Sequence, residues 1–261
     1  MRTIQINGNV RNLSGWKKSK PDHRDLKLVA AKQILPTHVD LRPGCPAVLD
    51  QGSLGSCTAN SACTVMEFLQ KRGQEALPYS RLYIYYWSRI KEGTPPEEDS
   101  GAEIRDVMKV LAKKGAPYES SWPYIIEKFS VMPPTLLDTE ASKHRALFYY
   151  ACPSLFTLKA SLAHGFPVTF GFSVPDNMLT DSCAKTGLVY YPSLTEGFQG
   201  GHAVTAVGYD DNMAIGKDTG AILCQNSWGT EWGQKGFFWL PYRFWVAGLA
   251  DDCWTIRKTG V

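Results

Sequence analysis

Cys57 stands where a loop turns into a helix. The loop is Gln51-Gly52-Ser53-Leu54-Gly55-Ser56, and over residues 58–72 Ala59, Ala62, Cys63, Val65, Met66 and Leu69 return at helical spacing. A thiol in the first turn meets unpaired N–H groups and the positive end of the helix dipole, and both favour thiolate over thiol. Far downstream, His202 lies in Gly200-Gly201-His202-Ala203-Val204 and Asn226 in Gln225-Asn226-Ser227-Trp228-Gly229. Amide hydrolysis by a thiol needs a thiolate, a base that later serves as acid, an orienting group and donors for the developing oxyanion. Cys57 supplies the sulfur. His202 is its natural partner: as imidazolium it stabilises the thiolate, and it can then protonate the leaving amine. Asn226 can hold the far imidazole nitrogen without adding negative charge, and Trp228 can cover that hydrogen bond from water.

These residues lie far apart in the chain, so separate elements must converge on one place. After the helix at 58–72, which ends around Gly73, Pro78 opens an aromatic-rich helix over 79–90. Ile104, Val107, Met108 and Leu111 make an amphipathic helix over 102–114, with Gly115 closing it. Residues 129–141 read as a connecting stretch containing Pro133-Pro134, and 154–164 as a short helix stopped by Gly165. Strands follow at 168–174, 202–209, 221–225, 236–240 and 253–257, bounded mostly by glycines, with a loop over 210–220. Helices first and strands after give an α+β chain: a helical lobe at about 45–125 and an antiparallel sheet lobe at about 126–261.

Together, Gln51, Cys57, Gly200 to Tyr209 and Asn226 to Gly233 resemble the papain family of cysteine proteases in type, order and rough spacing, from about Pro36 to the C-terminus. The early part of the chain, with Pro21-Asp22-His23-Arg24-Asp25, looks most like short-prosegment bacterial members. The resemblance implies a two-lobe fold, a helical left lobe and an antiparallel sheet or barrel on the right, with the active site in the cleft between them. It implies a triad of Cys57, His202 and Asn226, and an oxyanion hole from the Gln51 amide and the Cys57 N–H. It aligns Ser100 and Gly101 with a loop that pairs an extended peptide, and Ala102, Gly171, Gly200 and Ala203 with the main side-chain pocket. Those small residues suggest a roomy pocket for bulky apolar groups. There are departures: Thr58 stands where an aromatic is common, and Gly201 where an acid often precedes the histidine. Leu54 replaces a cysteine whose partner is also missing near residues 97–101.

Residues 1–36 read as a prosegment and 37–261 as the peptidase domain. The first part carries eight Lys or Arg against Asp22 and Asp25 (+6), the rest twenty against twenty-three acids (−3). A basic segment on an acidic body suggests docking on that body; the resemblance implies a prosegment lying over the cleft, and with it the chain's own N-terminal segment as inhibitor. The basic charges are spread out and, apart from Trp16, lack interleaved aromatics, which disfavours nucleic acid as a partner. No apolar run reaches the ~20 residues of a membrane span, and residues 1–10 lack the apolar core of a signal peptide. A cytoplasmic location is the default, with export by an unannounced route as the other course. Seven cysteines show no disulfide framework, so free buried thiols are expected. No metal or other cofactor is implied. The function expected is a cysteine endopeptidase made as a zymogen and acting through a thioacyl-enzyme on Cys57. The alternatives are an acyl transferase or peptide ligase using the same triad, and a non-catalytic peptide-binding homologue.

Overall fold

The computed structural model describes residues 3–6, 8–31, 33–70 and 77–260 of the chain. Its elements run β1 (Thr3–Ile6), β2 (Asn9–Asn12), β3 (Trp16–Lys17), β4 (His38–Asp40), α1 (Cys57–Gln70), α2 (Arg81–Lys91), β5 (Ala102–Glu103), α3 (Ile104–Lys113), α4 (Leu137–Ala141) and β6 (Ala146–Ala151). Then come α5 (Leu155–Ala163), β7 (Val168–Pro175), α6 (Asp181–Thr186), β8 (Phe198–Ile215), β9 (Asp218–Gln225), β10 (Phe237–Pro241), α7 (Arg243–Val246) and β11 (Ala250–Thr259).

The helices start where side chains satisfy backbone donors that a first turn leaves open. Ser80 accepts from the Tyr83 N–H at the head of α2, and Ser154 and Thr157 form a reciprocal capping box at the head of α5. α1, α2 and α3 bury Ala62, Val65, Leu82, Ile84, Val107 and Leu111 in one cluster. Unlike a surface amphipathic helix, α1 is buried from Cys57 to Phe68. Its polar side meets the sheet instead of water, where Ser61 Oγ lies 2.8 Å from Thr205 Oγ1 and 3.1 Å from Thr169 Oγ1. Hydrogen bonding of this kind lets buried hydroxyls avoid the desolvation penalty.

The second lobe is a seven-stranded antiparallel sheet in the order β10-β9-β8-β7-β11-β6, with β4 also pairing β8. The sheet stays open; no barrel closes. Phe170, Phe172, Val204, Ile222, Cys224 and Phe238 fill its core. All seven cysteines are free and buried.

The expected strands are present, four of them longer and the one expected at 236–240 shifted by one residue to Phe237–Pro241; the anticipated loop at 210–220 is the tip of a β8–β9 hairpin, with Ile215 paired to Asp218. The expected end of the first helix near Gly73 lies outside the described residues. The helix expected from 102 starts at Ile104, because Ala102 and Glu103 pair with Trp16 and Lys17 in a parallel ladder. The connecting stretch contains α4, whose Leu137 and Ala141 pack on Tyr83. β6 and the β1–β2 hairpin have no counterpart among the sequence expectations.

Candidate active site

The loop before Cys57 is held from below. Gly55 N–H donates to both oxygens of the Asp99 carboxylate at 3.1 and 3.0 Å, and the Tyr85 hydroxyl donates to the same group. Tyr124 donates to the Gln51 carbonyl at 2.8 Å and lies 2.5 Å from Ser56 Oγ. α1 then begins at Cys57 itself.

β8 crosses from the other lobe. The Ala203 N–H donates to Cys57 Sγ at 3.3 Å, which sets the peptide joining His202 and Ala203 against the sulfur. His202 Nε2 is 2.8 Å from Asn226 Oδ1, which also accepts the Ser227 N–H at 2.9 Å. With that oxygen accepting, Nε2 is the protonated nitrogen and Nδ1 is the free base; Nδ1 is buried and has no hydrogen-bond partner. The Trp228 ring stacks on the imidazole at 4.9 Å and 26°. Gln51 is fixed at both ends of its amide: Oε1 accepts from Ser227 Oγ at 2.6 Å and Nε2 donates to the Leu54 carbonyl at 3.0 Å. Gln51, Cys57, His202, Asn226 and Trp228 thus meet at the seam between helices and sheet, and all five are buried.

Burial governs their charge. Removal from water pushes the Cys57 thiol up to about 12, and the N–H groups of Ala203 and Thr58 only partly oppose this. The same cause drives His202 down to about 4, with the Arg11 guanidinium contributing in the same direction. Both groups are therefore neutral here, the reverse of what the helix end alone favours.

What excludes water is the chain's own beginning. Leu13 accepts the Gly201 N–H at 2.8 Å and Gly15 accepts the Ala102 N–H at 3.0 Å, so one extended strand bonds to both lobes. Between those bonds Gly15 lies on the thiol: a Cβ there would sit 2.6 Å from Cys57 Sγ. Gly101, at φ 71°, gives way to the carbonyls of Ser14 and Gly15. Trp16 enters the pocket lined by Gly171 and Gly201, where a Cβ on Gly171 would fall inside the indole ring. Gly200 faces the Leu13 carbonyl, and the buried Ala203 belongs to the cluster against which Trp16 packs. Ser100 Oγ accepts from Lys17 Nζ at 3.3 Å. Every residue expected to contact substrate therefore touches this strand or packs beside it. The opposite charges meet as well: Lys17 with Glu92 and Lys18 with Asp251, each at 2.6 Å.

Three side chains were missed by sequence reasoning. Asp99 anchors the nucleophile loop and also takes Asn12 Nδ2 at 2.7 Å. Arg11 is buried against Asp50 at 2.5 Å and the Trp228 carbonyl at 3.1 Å. Asp252 accepts the Trp16 indole N–H at 3.1 Å. None stands in a motif.

Among the described residues no group of three or more His, Cys, Asp or Glu is placed to hold a metal ion, and no helix is long and apolar enough to cross a membrane. The sequence matches the profile of the papain family cysteine proteases over residues 35–253. It is 35% identical to an uncharacterized peptidase C1-like protein, L477, of Acanthamoeba polyphaga mimivirus, across 94% of this chain and 86% of that protein. Among solved structures, xylellain, a cysteine protease from Xylella fastidiosa, superposes with a TM-score of 0.85 at 35% identity, covering 95% of this chain and 97% of that one. The procathepsin B S9 of Trypanosoma congolense shares the fold at a TM-score of 0.72 and 20% identity, over 95% and 86% of the two chains.

Proposed function

The chain belongs to the papain family of cysteine proteases, and on that footing we propose that it is an endopeptidase held latent by its own residues 1–36. Cys57 is the nucleophile, His202 the acid and base, Asn226 the orienting amide, and Gln51 with the Cys57 N–H the oxyanion donors. The observation that carries this reading is the imidazole: one nitrogen is bound to Asn226, and the other is buried and unpartnered beside the backbone that touches the sulfur.

Withdrawal of the N-terminal strand readmits water and a substrate. Rehydration favours the charged forms, so a proton passes from sulfur to His202 and an ion pair forms. An extended peptide takes the places left by Leu13 and Gly15, using the N–H groups of Gly201 and Ala102. The thiolate attacks the scissile carbonyl, and its oxygen gathers negative charge before the Gln51 amide and the Cys57 N–H. His202 gives its proton to the leaving amine, which leaves a thioester on Cys57. A water deprotonated by His202 then attacks the thioester, and collapse of that second tetrahedral adduct returns the thiol and releases the acid. Trp228 shields the His202–Asn226 bond throughout.

The test is a fluorogenic peptide panel run on the full chain and on protein freed of residues 1–36, with active thiols counted by an epoxide inhibitor. The freed form should cleave internal peptide bonds at least about a hundredfold faster. Equal rates overturn latency. A titratable thiol that cleaves no peptide overturns peptidase action, and capture of the acyl group by an added amine in preference to water makes the chain a transferase.

A further inference from the structure

Two segments that build the site meet over one buried carboxylate. The first is the chain entering β5 at Gly101, whose neighbour Ala102 offers its N–H once Gly15 withdraws. The second is the loop from Gln51 to Cys57. Asp99, 6% exposed, joins them: its oxygens accept the Gly55 N–H at 3.1 and 3.0 Å and the Tyr85 hydroxyl. The same Tyr85 oxygen accepts the Gly101 N–H at 3.0 Å. A continuous chain of hydrogen bonds therefore runs from Gly101 through Tyr85 and Asp99 to Gly55, two residues before the sulfur. Arg89 braces it. Its guanidinium lies over the Tyr85 ring at 4.5 Å and donates to the carbonyls of Pro96 at 2.5 Å, Glu98 at 2.8 Å and Phe129. The approach to Asp99 is thereby fixed, and the buried negative charge has a buried positive one near it. Asn12 of the N-terminal strand adds a donor at 2.7 Å, but the remaining links lie within residues 55–129 and stay when that strand leaves.

A disulfide does not join these segments, since Leu54 stands where a cysteine would begin it and all seven cysteines are free. Without the carboxylate the Gly55 N–H loses its acceptor, and the loop must move to find another. A shift of about 1 Å there displaces the Gln51 amide and the Cys57 N–H from a developing oxyanion, a misplacement that costs on the order of 10²-fold in rate. Resting on the peptidase chemistry of Cys57, we propose that Asp99 and Tyr85 are positioning residues that fix the oxyanion loop relative to the strand that holds the peptide. Their hydrogen bonds do what a disulfide would do covalently. Asp99 acts chiefly on turnover, through Gly55, and Tyr85 chiefly on peptide binding, through Gly101.

Protein released from residues 1–36 is compared with its variants on one fluorogenic peptide, each rate divided by the titrated active thiol, so that loss of folded protein does not register. Asp99→Ala should lower kcat about 10²-fold while KM changes less than about threefold. Asp99→Asn keeps an acceptor for Gly55 and should recover at least about tenfold of that loss. Tyr85→Phe removes the acceptor of the Gly101 N–H and should raise KM by a larger factor than it lowers kcat. In the double variant of Tyr85→Phe with Asp99→Asn the losses should combine to less than their product, because both cut one chain of bonds. An Asp99→Ala enzyme with unchanged kcat per thiol overturns the positioning role, and so do strictly multiplicative losses in the double variant. If Asp99→Ala yields no titratable thiol, the Tyr85→Phe and Asp99→Asn cycle decides alone. Failure of the unaltered enzyme to cleave any peptide with its thiol fully titrated overturns the peptidase reading instead, and the positioning role with it.

Discussion

At Cys57 two effects oppose each other, and their sizes decide the state of the sulfur. A helix N-terminus favours an anion by roughly 0.3–1 kcal/mol, whereas burial lifts the thiol from 9.0 to about 12, on the order of 4 kcal/mol at 1.36 kcal/mol per unit. Burial wins in the covered state. Cys57 in the full chain should therefore react with iodoacetamide at pH 7 no faster than an ordinary buried thiol, and far faster once residues 1–36 are released; equal rates would contradict this. His202 supplies a pH dependence. Its value falls from 6.5 to about 4 in the folded state, so an uncovered or unfolded state takes up a proton between those values that the covered state does not. The resulting stability is complete above pH 6.5 and is lost as pH falls towards 4, at most about 3 kcal/mol. Labelling of Cys57 per unit of thiolate should rise over that window, and a flat profile would remove His202 as its source. Gln51→Ala should lower kcat about 10²–10³-fold with KM little changed, as loss of one oxyanion donor does; single-turnover acylation measures it. The candidate residues Gln51, Cys57, His202 and Asn226 were legible because each stands at fixed spacing in a motif. Asp99 and Asp252 were not, since an isolated aspartate reads as solvated surface until the fold shows which donors converge on it.

Among the elements, the short parallel pair β3–β5 closes beside Gly15 over the site, and its strength lies in side chains more than in ladder length. Two residues pair on each side, but Trp16 fills a pocket and Gly15 fits where no other residue can. Gly15→Ala would bring a Cβ to 2.6 Å from Cys57 Sγ and 2.9 Å from the Gly55 carbonyl. Overpacking of that kind costs roughly 1–3 kcal/mol, so Cys57 labelling in the full chain should rise on the order of tenfold. Trp16→Ala should loosen the cover by up to the ~3–5 kcal/mol of a large-to-small core change, less here because Trp16 is only half-buried. The same labelling assay reads both, and an unchanged rate for both would mean the strand is held elsewhere. The helices and central strands were legible from their own periodicity. β1, β2 and β3 were not, because their partners lie in each other and in the body of the protein, and a strand completed by a distant edge needs no hydrophobic period of its own.

Across the whole molecule, the N-terminal segment is tied down at several points, and between two of them described residues stand exposed. Leu28 bonds to Ala151 at the edge of the sheet, and the chain is caught again where Tyr209 reaches the Pro36 carbonyl at 2.7 Å and Asp211 the Thr37 carbonyl at 2.9 Å. Between these anchors Val29 is 89% exposed and Ile34 fully so. Limited proteolysis should cut first within 29–35, and the cut should coincide with the rise in peptidase activity; N-terminal sequencing of the body locates it, and a first cut inside the cleft strand would contradict the arrangement. The charge split, +6 against −3, announced a docked segment but not where it docks. By itself the sequence determined the family, the order of helices before sheet and a candidate set of four residues, because motif spacing and local periodicity are properties of the chain. Only the tertiary structure decided that burial pushes the thiol up and the imidazole down, that Gly15 lies against Cys57 and Trp16 against Gly171, and that Asp252 receives the Trp16 indole N–H. Desolvation and convergent hydrogen bonds depend on which distant groups displace water, and no local pattern records that.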